Sequence, residues 1–150
     1  MNKGTYNNAV IHTENLTRDY MMQNQTIRAV NNVNIKVNSG EFVTFMGRSG
    51  SGKTTLLNLI SGLDNPTKGK VFLDGQDIHK FSEKEIMLMR RNKLGIIFQS
   101  FSLLPLLSAY ENVELPLRIS GVKGLKRKEM TNSAMEIVGL SHRSKHRPYE

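Results

Sequence analysis

The sequence predicts an α/β domain built round an anion-binding loop, and three observations carry that prediction. The octapeptide Gly47-Arg48-Ser49-Gly50-Ser51-Gly52-Lys53-Thr54 fits the pattern G-x-x-x-x-G-K-[ST]. The run Glu41–Met46 leads into it as a buried strand, and Thr55-Leu56-Leu57-Asn58-Leu59-Ile60 leads out as a helix. Strand, loop and helix in that order are the context the pattern requires. A strand-rich stretch from Asn8 to Val37 precedes both.

Each element has a local reason. Val30, Val33, Ile35 and Val37 are apolar with mostly polar spacers, the pattern of half-buried strands. Met21 to Gln25 is a connection between two such strands, and Asn38-Ser39-Gly40 is a turn. The helix after the loop starts at about Lys53 and closes at Gly62, a good residue for the left-handed stop. Asp64 to Gly69 is a turn cluster, and Lys70–Leu73 followed by Asp74-Gly75 is a strand and hairpin turn. Ser82 and Glu85 form a capping box for a helix to about Asn92. The short apolar run Leu94–Phe98 is a buried strand that ends in Gln99.

The character changes from about Ser102. Ser108 and Glu111 make a second capping box, for a helix through about Ile119 that Pro116 should kink. Lys126 to Val138 is an amphipathic helix with Met130, Ala134, Ile137 and Val138 on one side and Gly139 as its stop. The expected division is a β-rich core to about residue 101 and a helical subdomain from about residue 102.

Composition bounds the function. The 150 residues are 38% hydrophobic and 23% charged, values of a globular domain with a real core. The net charge is +8. The basic residues are scattered, without interleaved aromatics or zinc-finger spacing, so an anionic nucleotide ligand and a solvated surface account for them, and no nucleic acid partner is expected. The basic end, His142 to Arg147, is read as a solvated segment. There is no cysteine, which excludes disulfides and thiolate metal sites. No apolar run approaches the roughly 18 residues of a membrane span. Met1-Asn2-Lys3-Gly4 opens no apolar signal segment, so a cytoplasmic location is expected.

The chemistry sits in the octapeptide. Gly47, Gly50 and Gly52, with Ser49 and Ser51 between them, let the backbone curl into a nest whose N–H groups point at an anion. The following helix adds unpaired N–H groups and the positive end of its dipole. Lys53 can reach the β- and γ-phosphates of a nucleotide, and the Thr54 hydroxyl can hold Mg²⁺. Tyr20 has two readings: a half-buried strand tyrosine, or an aromatic platform for a nucleobase. Gln99 stands where open α/β sheets keep their ligands, at the C-terminal end of a strand.

Together these segments resemble the ATP-binding subunit of an ABC transporter. The resemblance runs from Glu41-Phe42-Val43 through the loop to Leu63-Asp64-Asn65-Pro66-Thr67. It resumes at Leu94–Pro105 and at Glu111-Asn112-Val113-Glu114-Leu115-Pro116-Leu117. It is nearest to the ATPases of macrolide export, lipoprotein release and antimicrobial-peptide resistance. It implies a P-loop NTPase fold of the ABC type and Mg-ATP as ligand. Tyr20 would stack the adenine, and Gly47 through Thr54 would be the Walker A loop, with Thr55 beside it. Gln99 would sense Mg²⁺ and the attacking water. The implied partners are a transmembrane permease subunit, reached through the segment after Gln99, and a second nucleotide-binding domain. The implied location is then the inner face of the cell membrane, held there by the permease.

Two departures accompany the resemblance. Arg48 stands where the family usually has proline. The family's Leu-Ser-Gly-Gly-Gln signature would begin after Glu150, and the Walker B acids and switch histidine are not in these 150 residues. Val71-Phe72-Leu73-Asp74 is followed by Gly75 rather than an acid, so it is a hairpin and not Walker B. The chain is therefore expected to be the N-terminal part of a nucleotide-binding domain. Two alternatives stay open: a shortened, non-hydrolysing nucleotide-binding or interaction protein, and an unrelated P-loop kinase or GTPase. Against the last, Asn92-Lys93-Leu94-Gly95 lacks the aspartate of a guanine-reading motif.

Overall fold

The computed structural model describes residues 9–150. The readings at Met1–Gly4 and at Asn8 lie outside the described residues. These fall into two compact units, one through Gly95 and one from Ile96 to Glu150.

The first unit is an antiparallel sheet with helices packed on it. A long strand β1, Ala9–Met22, turns back at Gln23-Asn24 into β2, Gln25–Val33. Both turn residues have positive φ, 44° and 65°, the geometry of a tight hairpin whose twist matches its strands. Met21, Met22 and Gln25 therefore belong to the paired strands, Met21 opposite Thr26 and Met22 opposite Gln25, and only Gln23-Asn24 is connection. Strand β3, Lys36–Asn38, pairs with the start of β1. Thr13 bridges the change of neighbour from β2 to β3: its hydroxyl donates to the Val33 carbonyl at 2.9 Å and accepts from the Ile35 N–H at 3.1 Å.

Helix α1, Lys53–Ile60, follows the glycine-rich loop. It stops as the sequence predicts. Gly62 takes φ 67°, Leu63 N–H donates to Asn58 O at 2.9 Å and Gly62 N–H to Leu59 O at 3.2 Å, the paired bonds of a Schellman motif. Strand β4, Lys68–Leu73, begins two residues before the predicted start, because the Gly69 Cα lies against the Glu14 and Asn15 carbonyls of β1 where no side chain fits. The Asp74-Gly75 turn leads to β5, Gln76–Asp77, so this segment is the hairpin expected. Helix α2, Glu83–Lys93, carries its full capping box at Ser82 and Glu85. The core joins Leu16, Val30, Leu56, Leu59, Ile60, Val71, Leu73, Ile78 and Met89.

Two predicted strands do not form. Residues 41–48 and 94–98 carry no β-ladder. Neither is buried: Phe42 is 95% exposed, Met46 90% and Ile97 99%. Only Phe45 and Leu94 pack on the core. A strand's hydrogen bonds lie in its neighbours, and among the described residues no segment pairs with these two.

The second unit holds α3, Ala109–Ile119, and α4, Gly124–Ile137. The Ser108–Glu111 capping box is complete, and α3 runs unbroken past Pro116. Arg127 joins the two helices through Glu114 at 2.7 Å. The predicted apolar side of α4 is not its buried side. Thr131 and Met135 are buried, whereas Ile137 and Val138 are 81% and 64% exposed and Met130 and Ala134 are also exposed. The Arg127–Glu114 pair is the tie between α4 and α3, and it sets the buried face one position from the apolar stripe; the Thr131 hydroxyl is satisfied within α4 itself, donating to Arg127 O at 2.8 Å. Residues 142–147 are mostly exposed, but their backbone has a task the sequence hid: His146 O and Ser144 O accept from Ala109 and Tyr110 N–H at 2.8 and 2.9 Å, closing the start of α3.

Two outcomes follow from this packing. Leu59→Ala, at a fully buried position, should cost about 2–5 kcal/mol, while Phe42→Ala should change stability by less than about 0.5 kcal/mol; urea unfolding measures both. The Glu85 and Glu111 carboxylates are held below the ordinary carboxylate range, Glu85 foremost by the Ser82 hydroxyl and Glu111 foremost by the Ser108 N–H. Their stabilisation is complete above the unfolded carboxylate pKa and is lost as pH falls through the depressed folded values. Melting temperature against pH should fall in that acid window, and less steeply in Glu85→Gln/Glu111→Gln.

Candidate functional site

The loop Gly47–Thr54 is seated on the sheet by one contact. Gly52 has φ 88° and is the N-cap of α1. A Cβ there would lie 2.0 Å from the Ala29 carbonyl oxygen of β2, so the loop backbone reaches the strand only through glycine. At the loop's entry, a Cβ on Gly47 would lie 2.7 Å from Ser51 Oγ. Arg48 O accepts from Ser51 N–H at 3.2 Å, which closes the first turn.

The start of α1 has neither a side-chain cap nor an acidic residue in its first turn. The first amides of a helix lack intrahelical partners and carry the positive end of its dipole. Lys53 adds a full positive charge. Its ammonium donates to Gly47 O at 2.9 Å, Arg48 O at 2.8 Å and Ser51 Oγ at 3.2 Å, so it lies folded over the loop. Thr54 is exposed and Thr55 half-buried behind it. Leu56, Leu59 and Ile60 anchor the helix in the core. A cavity of about 510 Å³ opens along the loop, lined by Lys53, Ser51 and Gly47 and, from β2, by Arg28 and Ala29.

Tyr20 lies half-buried near the end of β1. Its hydroxyl donates to Asp64 Oδ2 at 2.7 Å, and the Arg18 guanidinium lies 4.6 Å from its ring centroid. Arg18 Nη2 also meets Asp64 Oδ1 at 2.7 Å. Beside it, Arg28 grips Asp19 with two bonds, 2.8 and 3.1 Å, across the β1–β2 ladder. That grip is the main reason the Asp19 carboxyl stays below its ordinary range. None of these partners was legible, since a surface arginine has no sequence signature of what it pairs with.

Gln99 belongs to the second unit. It is exposed and begins a turn closed by Phe101 N–H on Phe98 O at 3.2 Å. Phe101 and Ser102 then take positive φ, 61° and 52°, which costs about 1–2 kcal/mol per non-glycine residue. Asn112 pins the following loop, accepting from Leu104 N–H at 2.8 Å and donating to Leu104, Leu107 and Ser108 carbonyls at 3.0–3.2 Å.

A family model described as ABC transporter matches residues 30–150. This chain belongs to the ABC transporter family. It is 40% identical over 141 residues to an uncharacterised ABC transporter ATP-binding protein, YknY, of Bacillus subtilis, covering 94% of this chain and 61% of that protein. It is 41% identical over 143 residues to the lipoprotein-releasing system ATP-binding protein LolD of Coxiella burnetii, with coverage of 94% and 61%. A dimeric structure of the ATP-binding cassette MJ0796 in a post-hydrolysis state, bound to ADP and Pi, superposes with a TM-score of 0.85 at 39% identity, covering 93% of this chain and 62% of that one. MJ0796 is from Methanocaldococcus jannaschii. This ABC chain thus spans about three-fifths of the length of these relatives.

Within this ABC chain Arg48 serves the loop through its carbonyl, which accepts from Lys53 and from Ser51. The side chain that replaces the family's usual proline takes no part in those bonds. The two left-handed glycines differ in a testable way. Gly50→Ala, at φ 78° with nothing near its Cβ, should cost about 1–2 kcal/mol. Gly52→Ala adds the collision with Ala29 O to the same backbone penalty and should cost more than about 2 kcal/mol; thermal unfolding ranks the pair.

Proposed function

We propose that this chain is part of the ATP-binding, energy-coupling component of an ABC-type membrane exporter, and that it binds Mg-ATP through Gly47–Thr54 as a Walker A loop. The observation that carries the proposal is the loop itself: a backbone turn that only glycine can seat against Ala29, opening a helix whose first amides have no side-chain cap, with Lys53 laid over it. Family membership and the ADP and Pi bound to the similar cassette support it.

Each residue then has a stated task. The loop amides and the start of α1 hold the β- and γ-phosphates. Lys53 exchanges its three loop acceptors for phosphate oxygens, a small movement of a flexible side chain. Mg²⁺ keeps several waters and binds phosphates with few protein ligands; here the Thr54 hydroxyl would be one. Mg²⁺ would neutralise charge on the phosphates. Thr55 supports the loop from the first turn of α1. Tyr20 stacks the base, a contact tolerant of base identity.

The remaining parts of the proposal concern the whole protein. A permease supplies membrane attachment; no helix among the described residues is long and apolar enough to cross a membrane. The protein acts at the cytoplasmic face, and a second nucleotide-binding domain completes the site; the similar cassette is dimeric. The P-loop core extends to about residue 101 and the helical subdomain begins at about residue 102.

Titration calorimetry of the 150-residue chain with Mg-ATP tests the site. Binding should be measurable and should disappear in Lys53→Ala; equal affinities would overturn the assignment. ATP hydrolysis by this chain alone should stay at background. A single positioned electrostatic group is commonly worth about 10²–10³ in rate, and these 150 residues contain neither a Leu-Ser-Gly-Gly-Gln signature nor a Walker B acid. Lys53-dependent phosphate release would contradict this.

A further inference from the structure

We infer that Arg18 and Asp64 are positioning residues that fix the Tyr20 ring for stacking on a purine base. The inference rests on the proposal that Tyr20 is the base platform.

The geometry starts at Asp64. Its carboxylate takes the Tyr20 hydroxyl on Oδ2 at 2.7 Å, Arg18 Nη2 on Oδ1 at 2.7 Å and the Asn65 N–H on Oδ1 at 2.8 Å. Arg18 in turn lies over the tyrosine ring at 4.6 Å. One carboxylate thus holds the ring at its hydroxyl end and, through the guanidinium, on one face. An aromatic ring has two faces, and the one away from Arg18 is assigned to the base. Arg18 Nε is buried without a hydrogen-bond partner, a cost in desolvation. A side chain placed for hydrogen bonding alone would not leave that donor unpaired; its position over the ring, 4.6 Å from the centroid, accounts for the pose.

Asp64 also ties the ring to the phosphate loop. Its N–H and that of Leu63 both donate to Asn58 O at the end of α1, at 3.2 and 2.9 Å. Three residues on, Thr67 is stitched to β1: its N–H donates to Thr17 O at 2.8 Å and its hydroxyl accepts from Asp19 N–H at 2.9 Å. The helix therefore carries the loop at one end and the anchor of the ring at the other. A rigid helix of eight residues sets the distance between them, so the ring's pose is referred to the phosphate site.

The experiment compares Mg-ATP with Mg-tripolyphosphate, which has the phosphates and no base, on the full 150-residue chain by calorimetry. Asp64→Ala and Arg18→Ala should each weaken ATP about tenfold and leave tripolyphosphate unchanged. Tyr20→Phe, which keeps the ring and removes its hydroxyl, should also weaken ATP alone. In a Tyr20→Ala background, Asp64→Ala should add no further loss. Unchanged ATP affinity in the Asp64 and Arg18 variants, while Tyr20→Ala is impaired, overturns the positioning role alone. Equal loss toward ATP and tripolyphosphate in those variants, or a full Asp64→Ala effect without the Tyr20 ring, overturns it in favour of a general structural role. Unchanged ATP affinity in Tyr20→Ala itself defeats the base-platform proposal, and this one with it.

Discussion

The approach of Gly52 to the Ala29 carbonyl is the contact on which the rest of the first unit depends. It brings the loop backbone against the sheet at a distance no side chain survives. It also fixes where α1 begins and which way its stripe faces. Leu56, Leu59 and Ile60 follow at the i, i+3 and i+4 spacing of one helix face and enter the core beside Leu16, Val30 and Val71. Burial of that stripe holds the helix. Holding the helix presents its uncapped start, with Lys53, to an anion. Core packing and the proposed phosphate site are thus two ends of one eight-residue element.

The far end of the same helix is tied down with equal economy. The Schellman stop at Gly62 turns the chain, and Arg90 of α2 donates to the Gly62 carbonyl at 3.3 Å. The turn then delivers Asp64 to Arg18 and Tyr20, and Thr67 to β1. Acidic groups here act largely as local ties: Asp19 across a ladder, Asp64 at the end of a helix, Glu85 and Glu111 within capping boxes. None is spent on the first turn of α1. With no acid in that turn and Lys53 at its start, the local charge suits the polyphosphate ligand proposed above.

The chain shows opposite behaviour on the two sides of the loop. After it, α1 satisfies its own backbone within the helix. Before it, residues 41–48 have no ladder, and Phe42 and Met46 stand in solvent. Residues 94–98 are alike. A helix makes its bonds locally, whereas a strand is completed only by a neighbour. An apolar strand with no neighbour exposes both its backbone and its side chains, the condition in which strands associate with other chains.

What the sequence determined by itself was whatever depends on nearby residues. Both capping boxes, the stops at Gly62 and Gly139, the Asp74-Gly75 hairpin and the start of α1 at Lys53 were legible because their bonds close within a few residues. The glycine pattern of Gly47–Thr54 was legible for the same reason. Tertiary structure alone decided the rest. It paired Arg18 with Asp64 and Arg28 with Asp19, because partners distant in sequence leave no spacing to read. It chose Thr131 and Met135 over the more apolar Ile137 and Val138 as the buried face of α4, because the Arg127–Glu114 pair sets that helix's rotation. And it left Glu41–Met46 and Leu94–Phe98 without ladders, because apolar character makes a strand probable but only a neighbouring backbone makes it a strand.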